Sequence, residues 1–264
     1  MSRNGQRSTN PADYQNVARA VAAMPKDFAA GFEIQPHHHE RAQLIYATAG
    51  TMRVSTDDGV WMVPPQRALW MPAGVTHSIV MLSDTTMRTL YVRDDAAAAM
   101  PTACRVLSVS PLLRELIVRA TELPLQYDEH GPAGHVVALI LAELAGLQSL
   151  ALQLPMPRDA RLRTLCRALL DAPADPRPIE AWARTINIST RTLARRFRSE
   201  TGLSFGAWRQ QARVLEAMGR LGGGEAVTQV ALDLGYESVS AFSAMFHRAT
   251  GTSPSHFRGR PQTQ

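Results

Sequence analysis

The feature that most constrains this chain is a repeat. Residues 197–204, FRSETGLS, and residues 246–253, FHRATGTS, share the pattern F-x3-T-G-x-S at an offset of 49 residues. Upstream of each copy lies a helix-turn-helix pattern. In the second, VTQVALDLGYESVSAFSAMFHR, Ala231 marks a close crossing of two helices, Gly235 permits the tight turn, and Ser238 caps the next helix. In the first, IEAWARTINISTRTLARRF, Ala183 matches Ala231 and Ser189 matches Ser238. Asn187 stands where the glycine was, and asparagine tolerates the left-handed conformation better than most residues.

Charge follows the repeat. Residues 1–157 hold 12 Lys and Arg against 14 Asp and Glu, a net of −2. Residues 158–264 hold 16 against 9, a net of +7, and every basic residue there is arginine. Such an asymmetry suggests a nucleic-acid-binding module attached to a near-neutral domain. Helices are expected near 159–170, 179–185, 190–200, 204–221, 226–233 and 238–249.

The second helix of a helix-turn-helix unit lies in the DNA major groove with its early residues facing base edges. In the first unit the outward positions are Thr190, Arg191, Ala194 and Arg195, while Leu193 and Phe197 fall on the core-facing stripe. A guanidinium at Arg191 or Arg195 suits bidentate bonding to guanine, worth ~1–3 kcal/mol of discrimination. Arg196, Arg198 and Arg209 suit phosphates. In the second unit Val239, Ser240, Ser243 and Ala244 offer thymine-methyl contacts and hydroxyls but no forked donor, with His247 and Arg248 near the backbone. The first unit therefore carries most of the direct readout. An arginine-rich solvated helix face is the competing reading.

From about Phe28 to Val92 the pattern changes to short β-rich runs, AQLIYATAG, TMRVSTDDG, VWMVPPQ, ALWMPAG and HSIVML, broken by turn residues. This spacing argues a small antiparallel sandwich or barrel, with Asp58-Gly59 as a hairpin signal. PLLRELIVRATEL and AGHVVALILAELAGLQSLAL follow at helical spacing, the second apolar nearly all round. They either close the sandwich or form a dimer interface. LPMPRD, residues 154–159, reads as the domain boundary. No run of eighteen apolar residues occurs, and the polar N-terminus lacks a hydrophobic signal region, so a cytoplasmic protein with a mobile tail is expected. Cys104 and Cys166 read as small buried hydrophobes in a reducing compartment.

Residues 158–260, through ISTRTLARRFRSETGLSF and VALDLGYESVSAFSAMFHRATGTSPSHFR, resemble the two-motif DNA-binding domain of the AraC/XylS family of bacterial transcription regulators. The resemblance implies two recognition helices joined by a linker helix at about 204–221. It also implies activation or repression of a promoter, often with contact to RNA polymerase. The run Gly222-Gly223-Gly224 departs from the pattern and is expected to loosen the end of that helix.

The N-terminal part resembles a cupin barrel. Gly31, His37-His38-His39 and Gly50 follow the first cupin motif, with Gln43 where a glutamate is expected; Pro72, Gly74 and His77 follow the second, with Gln66 and Met81 as departures. The resemblance implies a metal held by His37, His39 and His77, with Gln43 in the fourth place. A neutral amide is a far poorer ligand for a divalent ion than a carboxylate, although three histidines alone hold zinc. Glu40 points away by strand alternation, so no general base stands beside the cluster. A divalent metal, an organic ligand in a pocket of His37, His39, Gln43, Tyr46, Trp70 and His77, and purely structural histidines all fit these residues.

The expected fold is a two-domain α+β chain: a flexible tail (1–20), a cupin-like sensor barrel (21–100), a helical dimerisation and linker region (101–157), and an all-α DNA-binding domain (158–260). Its two helix-turn-helix motifs are placed at about 178–199 and 226–249. The expected function is a homodimeric, ligand-responsive transcription regulator on double-stranded promoter DNA. A cupin metalloenzyme of dioxygenase or isomerase type fused to a DNA-binding domain is the rival, and a constitutive regulator with a purely dimerising barrel is a third reading.

Overall fold

The computed structural model describes residues 8–65, 67–147, 149–150 and 153–257. Its strands are β1 (Val21–Phe28), β2 (Glu33–His37), β3 (Ala42–Ala49), β4 (Met52–Thr56), β5 (Gly59–Val63), β6 (Arg67–Met71), β7 (His77–Met81), β8 (Thr85–Val92), β9 (Arg105–Ser108), β10 (Ser149–Leu150) and β11 (Gln153–Pro155). Its helices are α1 (Pro111–Ala120), α2 (Pro132–Gly146), α3 (Ala160–Asp171), α4 (Ile179–Thr185), α5 (Thr190–Thr201), α6 (Phe205–Gly222), α7 (Val227–Asp233), α8 (Val239–Thr250) and α9 (Pro254–Phe257). The chain divides into two compact units, Met1–Thr56 with Val63–Leu152, and Asp57–Met62 with Gln153–Gln264.

The first unit is built on an antiparallel sheet in the order β1-β8-β3-β6-β9-β10. In a second sheet β7 lies between β2 and β4, antiparallel to both. Strand β3 is apolar on both sides, because each side has something to cover. Side chains alternate along a strand, so Leu44 and Tyr46 share one face and Gln43 and Ile45 the other. The Leu44 face, with Trp70 and Leu90, forms a core with Leu113 and Ile117 of α1 and Val137, Ile140 and Leu144 of α2. Helix α1 starts where Ser110 Oγ accepts the Leu113 N–H at 3.0 Å, with Pro111 as first residue. The helix pair thus closes the sandwich on one side, while Leu112 and Leu139 remain 54% and 50% exposed.

Two expected boundaries are corrected here. Residues 1–7 lie outside the described residues, but from Ser8 onward the segment before β1 is ordered structure and not a flexible tail. A 3₁₀ turn at Pro11–Tyr14 buries Tyr14 to 1% exposure. The buried Arg41 guanidinium donates to the carbonyls of Gln15 (2.8 Å), Arg19 (3.0 Å) and Val17, tying the segment down. Residues 101–157 are also not purely helical, since β9 pairs with β6 through Leu69↔Val106. Four-residue strands carry too little periodicity to be read in isolation. Of the two cysteines, Cys166 is buried and Cys104 half-buried, its Sγ 3.4 Å from Met71 Sδ.

The second unit is helical around Leu162, Leu165, Leu193, Phe197, Phe205 and Trp208, with β11 paired to β5. Here each letter of the repeat has a structural cause. Phe197 and Phe246 are 0% exposed. Phe197 meets Phe205 and Trp208 edge-on at 5.5 and 5.8 Å, and Phe246 meets Phe257 at 5.5 Å. Thr201 Oγ1 donates to the Phe197 carbonyl (2.7 Å) and accepts the Leu203 N–H (3.2 Å). Thr250 repeats both bonds with Phe246 (2.9 Å) and Thr252 (3.2 Å). Gly202 and Gly251 end their helices in the left-handed region at φ 74° and 73°, and Ser204 caps α6 through the Ala207 N–H.

The glycine run at the end of α6 closes the helix and does not loosen it. The Gly223 N–H reaches the Gly219 carbonyl (3.0 Å) and the Glu225 N–H reaches the Arg220 carbonyl (3.1 Å), with Gly224 left-handed at φ 91°. Arg220 then bridges Glu225 at 2.6 Å and Asp233 at the end of α7.

Candidate effector pocket and nucleic-acid interface

Strand pairing assembles the histidines. A bulge between Ile34 and His37 shifts the β2–β7 register so that His37 stands opposite His77. The two motifs are joined by the Gly74 N–H, which donates to the His39 carbonyl at 2.9 Å from a turn with Gly74 at φ 75°. The rings of His37 and His77 lie 4.4 Å apart, those of His37 and His39 4.8 Å, and those of His39 and His77 5.6 Å. One ligand atom from each of His37, His39 and His77 lies within 4.8 Å of the others.

The rings are presented as acceptors. His37 Nδ1–H donates to the Gln35 carbonyl at 2.8 Å and His77 Nδ1–H to the Val75 carbonyl at 2.9 Å. A carbonyl only accepts, so Nε2 of the neutral ring keeps its lone pair. Burial, then the neighbouring His37, pushes His39 down to about 4. Burial also takes His77 to about 4, against the Val75 bond that favours its charge. Both rings are therefore neutral at pH 7. His39 Nε2, His77 Nε2 and Gln43 Oε1 are buried with no protein partner.

His37, His39 and Gln43 line an open cavity of about 740 Å³ whose walls include Met24, Phe28, Ile79, Met87 and Tyr91. Sequence reasoning missed these five, because Met24, Phe28, Met87 and Tyr91 share a face only through the β1–β8 register and Ile79 comes from β7 of the other sheet. Two expected pocket residues are placed elsewhere. Tyr46 and Trp70 lie on the other face of their sheet, buried against α1 and α2, and the Trp70 indole N–H donates to the Pro101 carbonyl at 2.9 Å. One-residue alternation puts Tyr46 on the strand face opposite that of the cavity-lining Gln43. Glu40 is exposed.

In the second unit Ser189 and Ser238 cap α5 and α8, accepting the Thr192 and Ala241 N–H groups at 3.2 and 3.1 Å. Arg191, Ala194, Arg195 and Arg198 are exposed along α5; Val239, Ser240, Ala244, His247 and Arg248 are exposed along α8, with Thr190 and Ser243 half-buried. Two arginines are engaged. Arg196 pairs with Asp159 at 3.2 Å. Arg209 is turned inward, its guanidinium donating to the Arg177 carbonyl at 2.8 Å and to the Asp175 carbonyl, so it fastens the α3–α4 loop instead of offering a free phosphate contact.

Residues 29–181 match the family model of an AraC-like ligand binding domain, and residues 182–260 match that of a helix-turn-helix domain. The chain belongs to the AraC/XylS family of transcription regulators. It is similar to the HTH-type transcriptional regulator NimR of Escherichia coli, 34% identical over 227 residues, 86% of this chain and 83% of that protein. It is also similar to the regulator RipA of Corynebacterium glutamicum, 35% identical over 103 residues, 39% of this chain and 31% of that one. Among solved structures, ToxT from Vibrio cholerae aligns with 91% of this chain and 98% of its own at 9% identity and a TM-score of 0.39. The family relationship makes the chain a regulator with a ligand-binding and a DNA-binding domain, and sets aside the fused cupin enzyme. Among the described residues no helix is long and apolar enough to cross a membrane.

Proposed function

We propose that the chain is an effector-responsive regulator whose histidine-lined cavity takes a small ligand and whose helices α5 and α8 read promoter DNA. The observation that carries the reading is the set of three buried acceptors without a protein partner, His39 Nε2, His77 Nε2 and Gln43 Oε1; His39 and Gln43 line an open cavity, and the His77 ring lies 4.4 Å from that of the cavity-lining His37. A buried acceptor left unpaired costs ~1–3 kcal/mol, which a fold tolerates where another molecule supplies the partner. The occupant biases one of two arrangements of the regulator and so its affinity for DNA.

A metal fits the histidine atoms of this set together with His37, and a specific observation favours it. The Nδ1–H groups of His37 and His77 are fixed on backbone carbonyls, the outer-shell arrangement that orients metal-binding imidazoles. His37, His39 and His77 would hold a divalent cation, which supplies a positive centre at the base of the cavity. Met24, Phe28, Ile79 and Met87 favour an effector with an apolar body.

On α5, Arg191 and Arg195 read guanine edges, Thr190 and Ala194 flank them, and Arg198 meets phosphate. On α8, Val239, Ser240, Ser243 and Ala244 face bases, with His247 and Arg248 beside the backbone. The exposed Leu112 and Leu139 support a homodimer through α1 and α2, acting with RNA polymerase on the nucleoid. The test is a thermal-shift screen of metals and small apolar molecules on the full chain, followed by promoter-fragment binding with and without each hit. A ligand that binds only the folded state raises the melting temperature. Hits that leave DNA affinity unchanged would defeat the effector-responsive reading.

A further inference from the structure

Within that metal reading one buried residue is unassigned. We infer that Gln43, which presents a neutral amide oxygen and not a carboxylate beside the histidines, makes the three-histidine site weak and reversible, so that a borderline divalent metal acts there as an exchangeable signal. The inference rests on the metal reading of His37, His39 and His77 and has its own test.

Gln43 is 2% exposed on β3, opposite Tyr91 of β8 and Met71 of β6. Its Nε2–H donates to Thr89 Oγ1 at 3.1 Å, and Thr89 Oγ1–H donates to the Leu44 carbonyl at 2.9 Å. The amide is therefore oriented by a chain of bonds that ends on the backbone. Its Oε1 is left buried and unpaired in the cavity wall that also holds His37 and His39. Tyr91 stands between these groups, its ring edge-on to His39 at 5.0 Å.

The charge balance then decides what the site holds. The acidic residues of the cavity wall, Glu33 and Glu40, are exposed at its rim. A divalent cation on three neutral imidazoles would keep its whole charge, and burying uncompensated charge is costly. Hard cations, which need several oxygen anions, are excluded; zinc, cobalt and nickel, which bond imidazole well, are held at reduced affinity. Loss of the carboxylate turns tenure into exchange.

The experiment uses the full chain and cobalt(II) as probe, read by its d–d absorption, with zinc competing against a chromophoric chelator. Native protein is expected to bind one cobalt(II) ion and to lose it on His37→Ala or His77→Ala. Gln43→Glu adds an anionic ligand, so it should bind roughly tenfold or more tightly and change the absorption band shape. Gln43→Met should leave affinity and band shape nearly unchanged, because a neutral amide oxygen adds little to three imidazoles. Gln43→Glu binding no more tightly, or Gln43→Met abolishing binding, would overturn the role of Gln43 while leaving the histidine site standing. Native protein taking up no cobalt(II) would remove the metal reading and this inference together. If the new carboxylate unfolds the metal-free chain, cobalt(II) added before a thermal melt decides: a gained ligand restores the transition, and its failure to do so overturns the inference.

Discussion

Asn187 and Gly235 occupy the same place in two turns of different sequence. Their φ angles are 53° and 77°, and Asn187 is the non-glycine residue in the left-handed region among those described. In each turn the next N–H reaches five residues back, Ile188 to the Ala183 carbonyl at 3.1 Å and Tyr236 to the Ala231 carbonyl at 3.0 Å. Ala183 and Ala231 are both buried where the helices meet. The two helix-turn-helix units are thus one backbone device built twice, with asparagine paying a small conformational cost in the first.

That equivalence predicts the outcome of substitution. Asn187→Ala and Gly235→Ala should each destabilise the second unit by about 1–2 kcal/mol, because an L-residue without a helpful side chain is strained at these angles. Asn187→Gly should be close to neutral. Urea midpoints of the three variants check this, and a neutral Gly235→Ala would refute it.

The arginines of α5 divide by role. Arg191→Ala and Arg195→Ala should each lower discrimination between the preferred and a mutated site by about 1–3 kcal/mol. Arg198→Ala should weaken binding to all sequences alike and reduce the slope of log affinity against log salt by about 1. Competition binding at several salt concentrations separates the two.

Arg209 should behave differently from Arg198. Its guanidinium is held by the Arg177 and Asp175 carbonyls, so Arg209→Ala should lower the melting temperature while the salt slope of DNA binding stays at its native value. A reduced slope with unchanged stability would return Arg209 to the phosphate contacts.

Asp159 caps α3, accepting the Arg161 N–H at 2.9 Å and the Leu162 N–H at 3.2 Å. Its carboxyl is held below the usual range, first by the Leu162 bond. A depressed carboxylate contributes fully above its unfolded pKa and loses that contribution as pH falls through its folded one. Asp159→Ala should cost about 1 kcal/mol at pH 7 and progressively less in acid, as measured by chemical denaturation across that range.

The pocket and the core should separate cleanly. Trp70→Ala should cost about 3–5 kcal/mol, as a large buried aromatic does, and Tyr46→Phe should leave ligand or metal uptake unchanged. Gln43→Met, which deletes a buried unpaired acceptor, should raise the stability of the ligand-free chain by about 1 kcal/mol. Denaturant titrations in the presence of a chelator test the two stability changes, and cobalt(II) absorption without chelator tests Tyr46→Phe.

The DNA-binding half was legible from residue order because its determinants are local. The caps Ser189 and Ser238, the turn residues Asn187 and Gly235, and the repeated Phe-Thr-Gly-Ser series act within a few residues of one another along the chain. Spacing alone therefore implied two helix-turn-helix units and their boundaries. His37, His39 and His77 were grouped by the resemblance to the two cupin motifs and not by local spacing, since His77 lies 38 residues beyond His39.

Tertiary structure decided the rest. Whether Tyr46 or Gln43 faces the cavity depends on a one-residue alternation whose origin is set by pairing with β6 and β8. Whether Arg209 is free depends on where the α3–α4 loop comes to lie. Met24 lies more than sixty residues before Met87 and Tyr91, and the three become one wall only through the β1–β8 register. Local chemistry along the chain specifies caps, turns and helix faces; which face of a strand meets a cavity is a non-local choice, made by hydrogen-bonded register and by what packs behind it.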